Sequence, residues 1–482
     1  MRNLFERDVL EAEQRELRTQ AGRNRRGGRG RATNRLAAIA RRRNLFIQGK
    51  EEWPALPSGG LTMEIVERRP NGVVEYRFVH STTYQDVQRQ FEICVASMNP
   101  QRLQILGHHY PYHIATLLQL AEIAKLEHRY SDAVDHLERA LFSFGRSVHS
   151  TFAEKLSQGK VRLDFRRPEN REFWLAAWRY IENLSLRSTW RTAYEWTKML
   201  FSLDPEKDPY CTKLVLDQFA IRARQAQHFI DLVSNSNFTD AALNSFGMLD
   251  LEPMLAYPFA NIAATVPLAL LQVGKQDEAR VRLKEAIADY PWLFARLFGE
   301  LQINPIPPSI WGQQPPNQHE DLASKLYVNR AKDIWNKPES TALLLDVTRS
   351  VKPGHRQPNL EPPIPMFEQQ APVRHVILLD KYEFTTLLPN IPTSDQLKQS
   401  DPFAPLDNLP SYDVEPLSPR FNEEELEELQ RVQEQLWQRG LRLVEDQRRD
   451  HEALEDATVH LGTDSDLRSD SEDDANQQGE GD

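Results

Sequence analysis

Hydrophobic and polar positions repeat with two different periods along this chain, and the change of period divides it. Between residues 61 and 80 the period is two. Met63 and Ile65 share a face, and Val74, Tyr76 and Phe78 share one after Pro70, Asn71 and Gly72. An Asn-Gly pair between two alternating runs predicts a β-hairpin, the one clear β element expected in the first 300 residues. From residue 81 to residue 300 apolar residues return every three or four positions, which predicts helices almost throughout.

Three helix pairs in that region share a pattern. In the first, Leu117, Leu120, Ala121 and Ala124 precede Ala133, Leu137 and Ala140. In the second, Ala177, Tyr180, Ile181 and Leu184 precede Ala193 and Leu200, and Pro205 ends the pair. In the third, Ala263, Val266 and Leu270 precede Ala279, Leu283 and Ala286, and Pro291 ends it. The small residues at 133, 193 and 279 allow antiparallel helices to approach closely. The prolines stop the second helix by lacking an N–H and clashing with the preceding turn. This is the helix–turn–helix pattern of tetratricopeptide repeats, but the alanines are 60 and 86 residues apart rather than regularly spaced. The expected fold is therefore mainly α: a degenerate tetratricopeptide-like α-solenoid with inserted helices, a small N-terminal β-hairpin and disordered termini. Leu214, Leu216, Phe219, Phe229, Ile230 and Leu232 mark one inserted unit.

Outside this core the pattern weakens. Residues 1–20 read as a helix through Leu4, Phe5, Val9, Leu10 and Leu17, and 34–43 as a short basic helix. Residues 302–320 read as a proline-rich loop before a helix at 320–335 carrying Leu322, Leu326 and Tyr327. Residues 351–372 and 389–420 read as linkers, with a strand or helix at 373–388 that docks back on the core. Residues 422–444 read as a charged helix, with Asn422 as its N-cap and Glu423 to Glu425 at its positive end. The division that follows is a basic arm at 1–55, a hairpin-plus-helix core at 56–345, a linker with a docked segment at 346–420, and an acidic helix with a disordered tail at 421–482.

Composition sharpens this. A mean hydropathy of -0.60 and 31 prolines, most of them after residue 250, require a good part of the chain to be solvated. The net charge of -11 hides a segregation of sign. Eleven arginines and one acid, Glu16, lie between residues 15 and 43, whereas acids dominate from 422 to 482. Such asymmetry marks interaction tails flanking a folded middle. Only two cysteines occur, Cys94 and Cys211, so no disulfide framework is expected. No apolar run approaches the roughly 20 residues of a membrane span.

Catalytic motifs are missing. No Gly-rich loop precedes a Lys-Ser/Thr, no G-x-S-x-G elbow is present, and zinc-ligand spacing is absent. The reading is a non-enzyme without cofactor or metal, although His108, His109 and His113 cluster, as loop and helix-start residues or as metal ligands. Arg23, Arg25, Arg26, Arg29 and Arg31, interspersed with glycine, are candidates for RNA contact. Each guanidinium can fork onto phosphate, and glycine lets the backbone follow an irregular surface. A nuclear import patch or a solvated tail are the rival readings. Arg166, Arg167 and Arg171, with Glu169 and Asn170, stand at a helix entrance and are candidates for docking an acidic partner. Asn170 reads equally as a helix N-cap. Ser465, Ser469 and Ser471 lie among acids, the context of an acidic-type kinase site, or of a solubilising tail.

Several short strings occur in an order and spacing that identify a family. They are Gly60-Leu-Thr-Met63, His80-Ser81 with Tyr84-Gln85, Pro111-Tyr-His113 with Leu117-Leu-Gln-Leu120, and Glu138-Arg-Ala-Leu141. Arg162-Leu163, Arg166-Arg-Pro-Glu-Asn-Arg171, Arg191-Thr-Ala193, Ser202-Leu-Asp-Pro205 and Asp208-Pro209 follow. Leu326-Tyr327, Arg330, Trp335 and Arg374-His-Val-Ile-Leu378 complete the set. Across residues 50–390 the chain resembles the family of ribosome quality control complex subunit one, whose animal member is called transcription factor twenty-five. The resemblance implies a ribosome-associated, cytoplasmic adaptor, with a nuclear pool as an additional location. It would act on stalled nascent chains on the large ribosomal subunit. Implied partners are the large subunit and its RNA, a listerin-type E3 ubiquitin ligase, the nascent-chain tailing factor, a Cdc48-type AAA ATPase and ubiquitin. Its implied role is to support ubiquitylation and extraction of the chain for proteasomal degradation. Family members often carry a long acidic and Lys-rich region ahead of the matching part, whose functions would here be absent or fall to the Arg-rich stretch. Asn99 stands where an acid is common, and Arg187-Ser-Thr-Trp190 replaces the usual Arg-Gly-Cys. The rival class is a nuclear transcriptional repressor or DNA-binding protein. Its support is the basic N-terminal region alone, and Gly22, Gly27, Gly28 and Gly30 interrupt the ordered helix such readout needs.

Overall fold

Four helix-to-helix turns along the chain are built alike, and they set the architecture. Helices α3 (Ile114–Leu126) and α4 (Tyr130–Ser147) are joined through His128, which sits in the left-handed region at φ 60°. The same role falls to Ser188 (φ 56°) between α6 (Pro168–Leu186) and α7 (Trp190–Leu203), and to Arg224 (φ 55°) between α8 (Lys213–Arg222) and α9 (Ala226–Ser234). Gly274 (φ 89°) takes it between α10 (Ala260–Gln272) and α11 (Gln276–Asp289). In each turn the residue after the left-handed one donates its N–H back across the helix end. The bonds are Arg129 to Ala124 O at 2.8 Å and Thr189 to Leu184 O, Gln225 to Ala220 O and Lys275 to Leu270 O, each at 2.9 Å. These bonds satisfy carbonyls that a helix C-terminus leaves without partners. Five residues after the left-handed position come Ala133, Ala193, Phe229 and Ala279, all buried in the second helix of their pair.

The computed structural model describes residues 44–54, 59–234, 260–351 and 370–379, and residues 381, 384, 397–398, 401–402, 405 and 407–409 beyond them. The helices expected at 1–20, 34–43 and 422–444 and most of the two proline-rich linkers lie outside the described residues. Among the described residues there are fifteen helices, a small three-stranded sheet, and a two-stranded antiparallel pair, Leu397–Lys398 with Asp401–Pro402. The remaining helices are α1 (Thr82–Ala96), α2 (Pro100–His109), α5 (Phe152–Ser157), α12 (Pro291–Glu300), α13 (Gln318–Trp335), α14 (Pro338–Ser350) and α15 (Gln370–Leu378). Their starts are legible locally. Ser81, Asn99 and Asn317 accept an N–H of the first turn of α1, α2 and α13, and proline opens α2, α6, α12 and α14. None of the helices searched is long and apolar enough to cross a membrane.

The expected hairpin is present as β1 (Leu61–Arg68) and β2 (Val74–His80), with Met63 opposite Phe78 and Ile65 opposite Tyr76. Its loop closes through Gly72 N to Arg69 O at 3.0 Å and Arg69 N to Val73 O at 2.8 Å. Pro70 and Asn71 occupy the turn and Gly72 takes φ 79°. The sheet is one strand larger than alternation predicts. β3 (Val161–Leu163) joins β2 in parallel, Val74 opposite Val161 and Tyr76 opposite Leu163. β3 is only three residues long, Val161-Arg162-Leu163, too short for its alternation to announce a strand, and all three are buried. Five helices form the crossover between these parallel strands.

The sheet packs against α4, α6 and α7, and its Tyr76 and Phe78 share one hydrophobic core with the helical hairpins as far as Val347 of α14. Trp174, Trp178 and Trp335 are the largest side chains enclosed in it. The segment ahead of β1 is tied to the same core. Asn44 Nδ2 donates to Phe142 O at 2.8 Å, and Phe46 lies 5.1 Å from the Phe173 ring and 5.9 Å from that of Trp196. Lys50 and the Trp53 indole N–H converge on Asp135 at 2.8 and 2.9 Å.

Candidate partner-docking surface

The turn from β3 into α6, residues 164–171, collects the arginines singled out in the sequence. Asp164 accepts the Arg166 amide at 2.9 Å and its Nε and Nη2 at 2.9 and 2.7 Å. Burial alone would push the Asp164 carboxyl up, but the hydrogen bonds from Arg166 and its charge hold it below the usual carboxylate range. Arg167 turns the other way, to Glu75 of β2 at 3.4 Å. Arg171 is 1% exposed and donates Nη1 to Arg166 O at 3.2 Å and Phe165 O at 3.4 Å. Asn170 is not the N-cap, because the helix already starts at Pro168. Its fully buried side chain accepts the Phe78 N–H at 3.0 Å and donates to Asp164 O at 2.9 Å, tying strand, turn and helix together.

Two segments distant in sequence close over this turn. In the first, Asp208 receives the N–H groups of Thr212 and Lys213 at 2.9 and 3.1 Å, ordering the entrance to α8. Against that loop α15 sets Arg374 Nη1 2.7 Å from Pro209 O, with its guanidinium over the Phe165 ring at 4.5 Å. His375 Nδ1 lies 2.7 Å from Tyr210 O. A carbonyl only accepts, so the proton is assigned to Nδ1, and Nε2 is left to accept from Arg330 Nη2 at 3.2 Å. Burial, with the Arg330 charge adding, pushes His375 down to about 3, so this tautomer is neutral.

The second segment is 405–409. The Leu409 N–H donates to Arg166 O at 3.0 Å, Arg171 Nη1 donates to Asn408 Oδ1 at 2.8 Å, and Asp407 Oδ2 stands 3.1 Å from Lys207 Nζ and 3.8 Å from Arg166 Nη1. The side chains of Asp407 and Lys207 are 57% and 51% exposed. Ion pairs of this kind contribute about 0–1 kcal/mol each. The bond from the buried Arg171 to Asn408 matters more, because hydrogen bonds to a charged group contribute about 1.5–3 kcal/mol.

The structure thus brings Arg166, Arg167 and Arg171 onto one turn in three environments: Arg166 half-exposed, Arg167 held by a strand, Arg171 enclosed. The sequence does not single out Lys207, Asp407 or Asn408, and it marks Arg374 and His375 through the family string without placing them at this turn. Asn408 lies 237 residues from Arg171, and no local pattern announces such a pairing. The RNA-contact candidates Arg23, Arg25, Arg26, Arg29 and Arg31, and Ser465, Ser469 and Ser471, lie outside the described residues. His113 caps α3 by accepting the Thr116 N–H, while His108 and His109 end α2. Among the described residues no group of three or more His, Cys, Asp or Glu side chains could hold a metal ion. Neither Cys94 nor Cys211 is in a disulfide, and burial pushes the Cys211 thiol well up, with Asp208 adding to the effect.

Helical hairpins joined by like turns, a small sheet at their N-terminal end, and a basic turn closed over by distant segments define a predominantly helical protein. The chain belongs to the family described as Transcriptional repressor TCF25, whose profile matches residues 76–405. This is the family that the short strings identify. The chain is similar to the human protein named Ribosome quality control complex subunit TCF25, at 30% identity over 386 residues, 75% of this chain and 55% of that protein. It is similar also to Ribosome quality control complex subunit 1 of Schizosaccharomyces pombe, at 32% over 307 residues, 64% of this chain and 44% of the relative. A third relative is named Probable transcription factor claV, from Ampulloclitocybe clavipes, at 31% over 274 residues, 53% and 34% of the two chains. The chain spans about half the length, or less, of these curated relatives. No solved structure matches it.

Proposed function

We propose that this protein is a non-catalytic adaptor of ribosome quality control, a degenerate tetratricopeptide-like solenoid that holds partners together on the large ribosomal subunit. The observation that carries the reading is the match over three quarters of the chain to a human protein named as a subunit of that complex. The four like turns, each followed five residues later by a buried residue of the second helix, support the solenoid. Stacked helical hairpins offer extended surfaces for other proteins. In this reading the listerin-type ligase, the nascent-chain tailing factor, the Cdc48-type ATPase and ubiquitin are the protein partners. The arm bearing Arg23, Arg25, Arg26, Arg29 and Arg31 meets ribosomal RNA. The turn bearing Arg166, Arg167 and Arg171 meets a protein partner, and Ser465, Ser469 and Ser471 are phosphorylated. Deleting the gene is expected to abolish ubiquitylation of stalled nascent chains; ubiquitylation at the wild-type level would remove the assignment.

The words "transcriptional repressor" and "transcription factor" in the family description and one relative's name favour a second reading, a nuclear repressor. A chromatin profile with discrete peaks, lost on deletion of the basic arm, is the result that would establish it.

A further inference from the structure

We propose that Arg166, Arg171 and Lys207 form a binding site for a short acidic peptide of a partner protein, and that Asp407-Asn408-Leu409 is its occupant in cis. The proposal deepens the reading of the arginine turn as a partner surface and does not depend on the ribosomal assignment.

The site makes three contacts, each with a different residue of the occupant. Arg171 Nη1, which donates to Arg166 O and Phe165 O at 3.2 and 3.4 Å within the turn, makes its shortest bond, 2.8 Å, to Asn408 Oδ1. Arg166 O, with a second lone pair beside the one that meets Arg171, accepts the backbone N–H of Leu409 at 3.0 Å. Lys207 Nζ and Arg166 Nη1 need a negative charge, which Asp407 supplies at 3.1 and 3.8 Å. Arg166 is prepared for this because Asp164 holds its Nε and Nη2, leaving Nη1 to point outward. A turn, Asn408 N to Pro405 O at 3.1 Å, presents the three residues together.

The recognised motif is therefore an acid, then a residue whose side chain ends in an oxygen, then any residue but proline, since the third must donate its N–H. The cis occupant is suited to exchange. Asp407 and Asn408 are both exposed, and the ion pairs that Asp407 makes are open to solvent. A peptide of matching chemistry on a partner can take the place of 407–409, which couples arrival of the partner to release of the segment leading to the acidic C-terminal stretch.

The test uses the full chain and a fluorescein-labelled peptide of its own residues 403–412, followed by anisotropy. Wild-type protein, with the site filled in cis, is expected to bind weakly. The variant D407A/N408A, with the site vacated, is expected to bind at least about tenfold more tightly. Adding K207E, at an exposed side chain remote from the core, is expected to reverse that gain, and a peptide carrying L409P is expected not to bind. Equal binding to wild type and D407A/N408A overturns the proposal, as does failure of D407A/N408A to bind. Displacement of the peptide by a uridine oligonucleotide at equimolar concentration overturns it in favour of a phosphate-binding surface. Ribosome association measured on the same D407A/N408A protein reports on the ribosomal reading separately, so either idea can fail alone.

Discussion

At the scale of single residues, buried polar groups bear most of the structure's specificity. Asp217 of α8 is fully enclosed, accepts the Thr265 hydroxyl at 2.9 Å, and is linked through Thr265 to Tyr327, which also receives the Trp335 indole N–H. Burial raises its carboxyl to about 6, with hydrogen bonds and the Arg330 charge opposing. A folded value above the unfolded one means that its favourable contribution is complete below about 4 and is lost as the pH rises through about 6. Asp217→Asn keeps an acceptor and cannot ionise. Its stability relative to wild type is expected to increase by about 1–2 kcal/mol between pH of about 5 and about 8, read by urea unfolding. A difference independent of pH contradicts the placement. Asn170→Ala acts in the other direction. It strips the acceptor from the buried Phe78 N–H, and a loss of about 2 kcal/mol or more with an unchanged m value is expected.

At the scale of elements, close approach decides more than propensity. Gly145 of α4 faces Asn44, and a Cβ there would lie 2.0 Å from Asn44 Oδ1. Alanine would favour the helix by about 1 kcal/mol yet expel Asn44. Gly145→Ala is therefore expected to change global stability by no more than about 2 kcal/mol while making residues 44–54 sensitive to protease. Unaltered protection of the Phe46 amide in hydrogen exchange would show that the anchor holds without Asn44. The elements themselves were legible to the extent that their signals are local. The β1–β2 hairpin shows in alternation and in Pro70-Asn71-Gly72, and the paired helices show in small residues at 133, 193 and 279. β3 was not legible because an alternation of three residues, Val161-Arg162-Leu163, is too short to stand out. The role of Asn170 was misassigned because the choice between cap and clamp depends on Phe78, 92 residues away. For the same reason the arginines could be picked out by composition, but not the partners that sort them.

At the scale of the molecule, one core joins sheet and hairpins, and three segments are laid back over it: 44–54 at the N-terminal side, α15, and 405–409. If the arm meets ribosomal RNA, replacing Arg23, Arg25, Arg26, Arg29 and Arg31 by glutamine lowers co-sedimentation with large subunits and flattens its dependence on salt, because fewer counterions are released. Co-sedimentation unaffected at every salt concentration removes those residues from the interface.

Whether the protein is an adaptor acting on the large ribosomal subunit is decided by purifying the tagged protein from its own cells at low salt and identifying what accompanies it by mass spectrometry. Large-subunit ribosomal proteins together with a listerin-type ligase and a Cdc48-type ATPase are expected. Chromatin proteins and transcription factors without ribosomal enrichment would contradict the adaptor reading and give the repressor reading the lead.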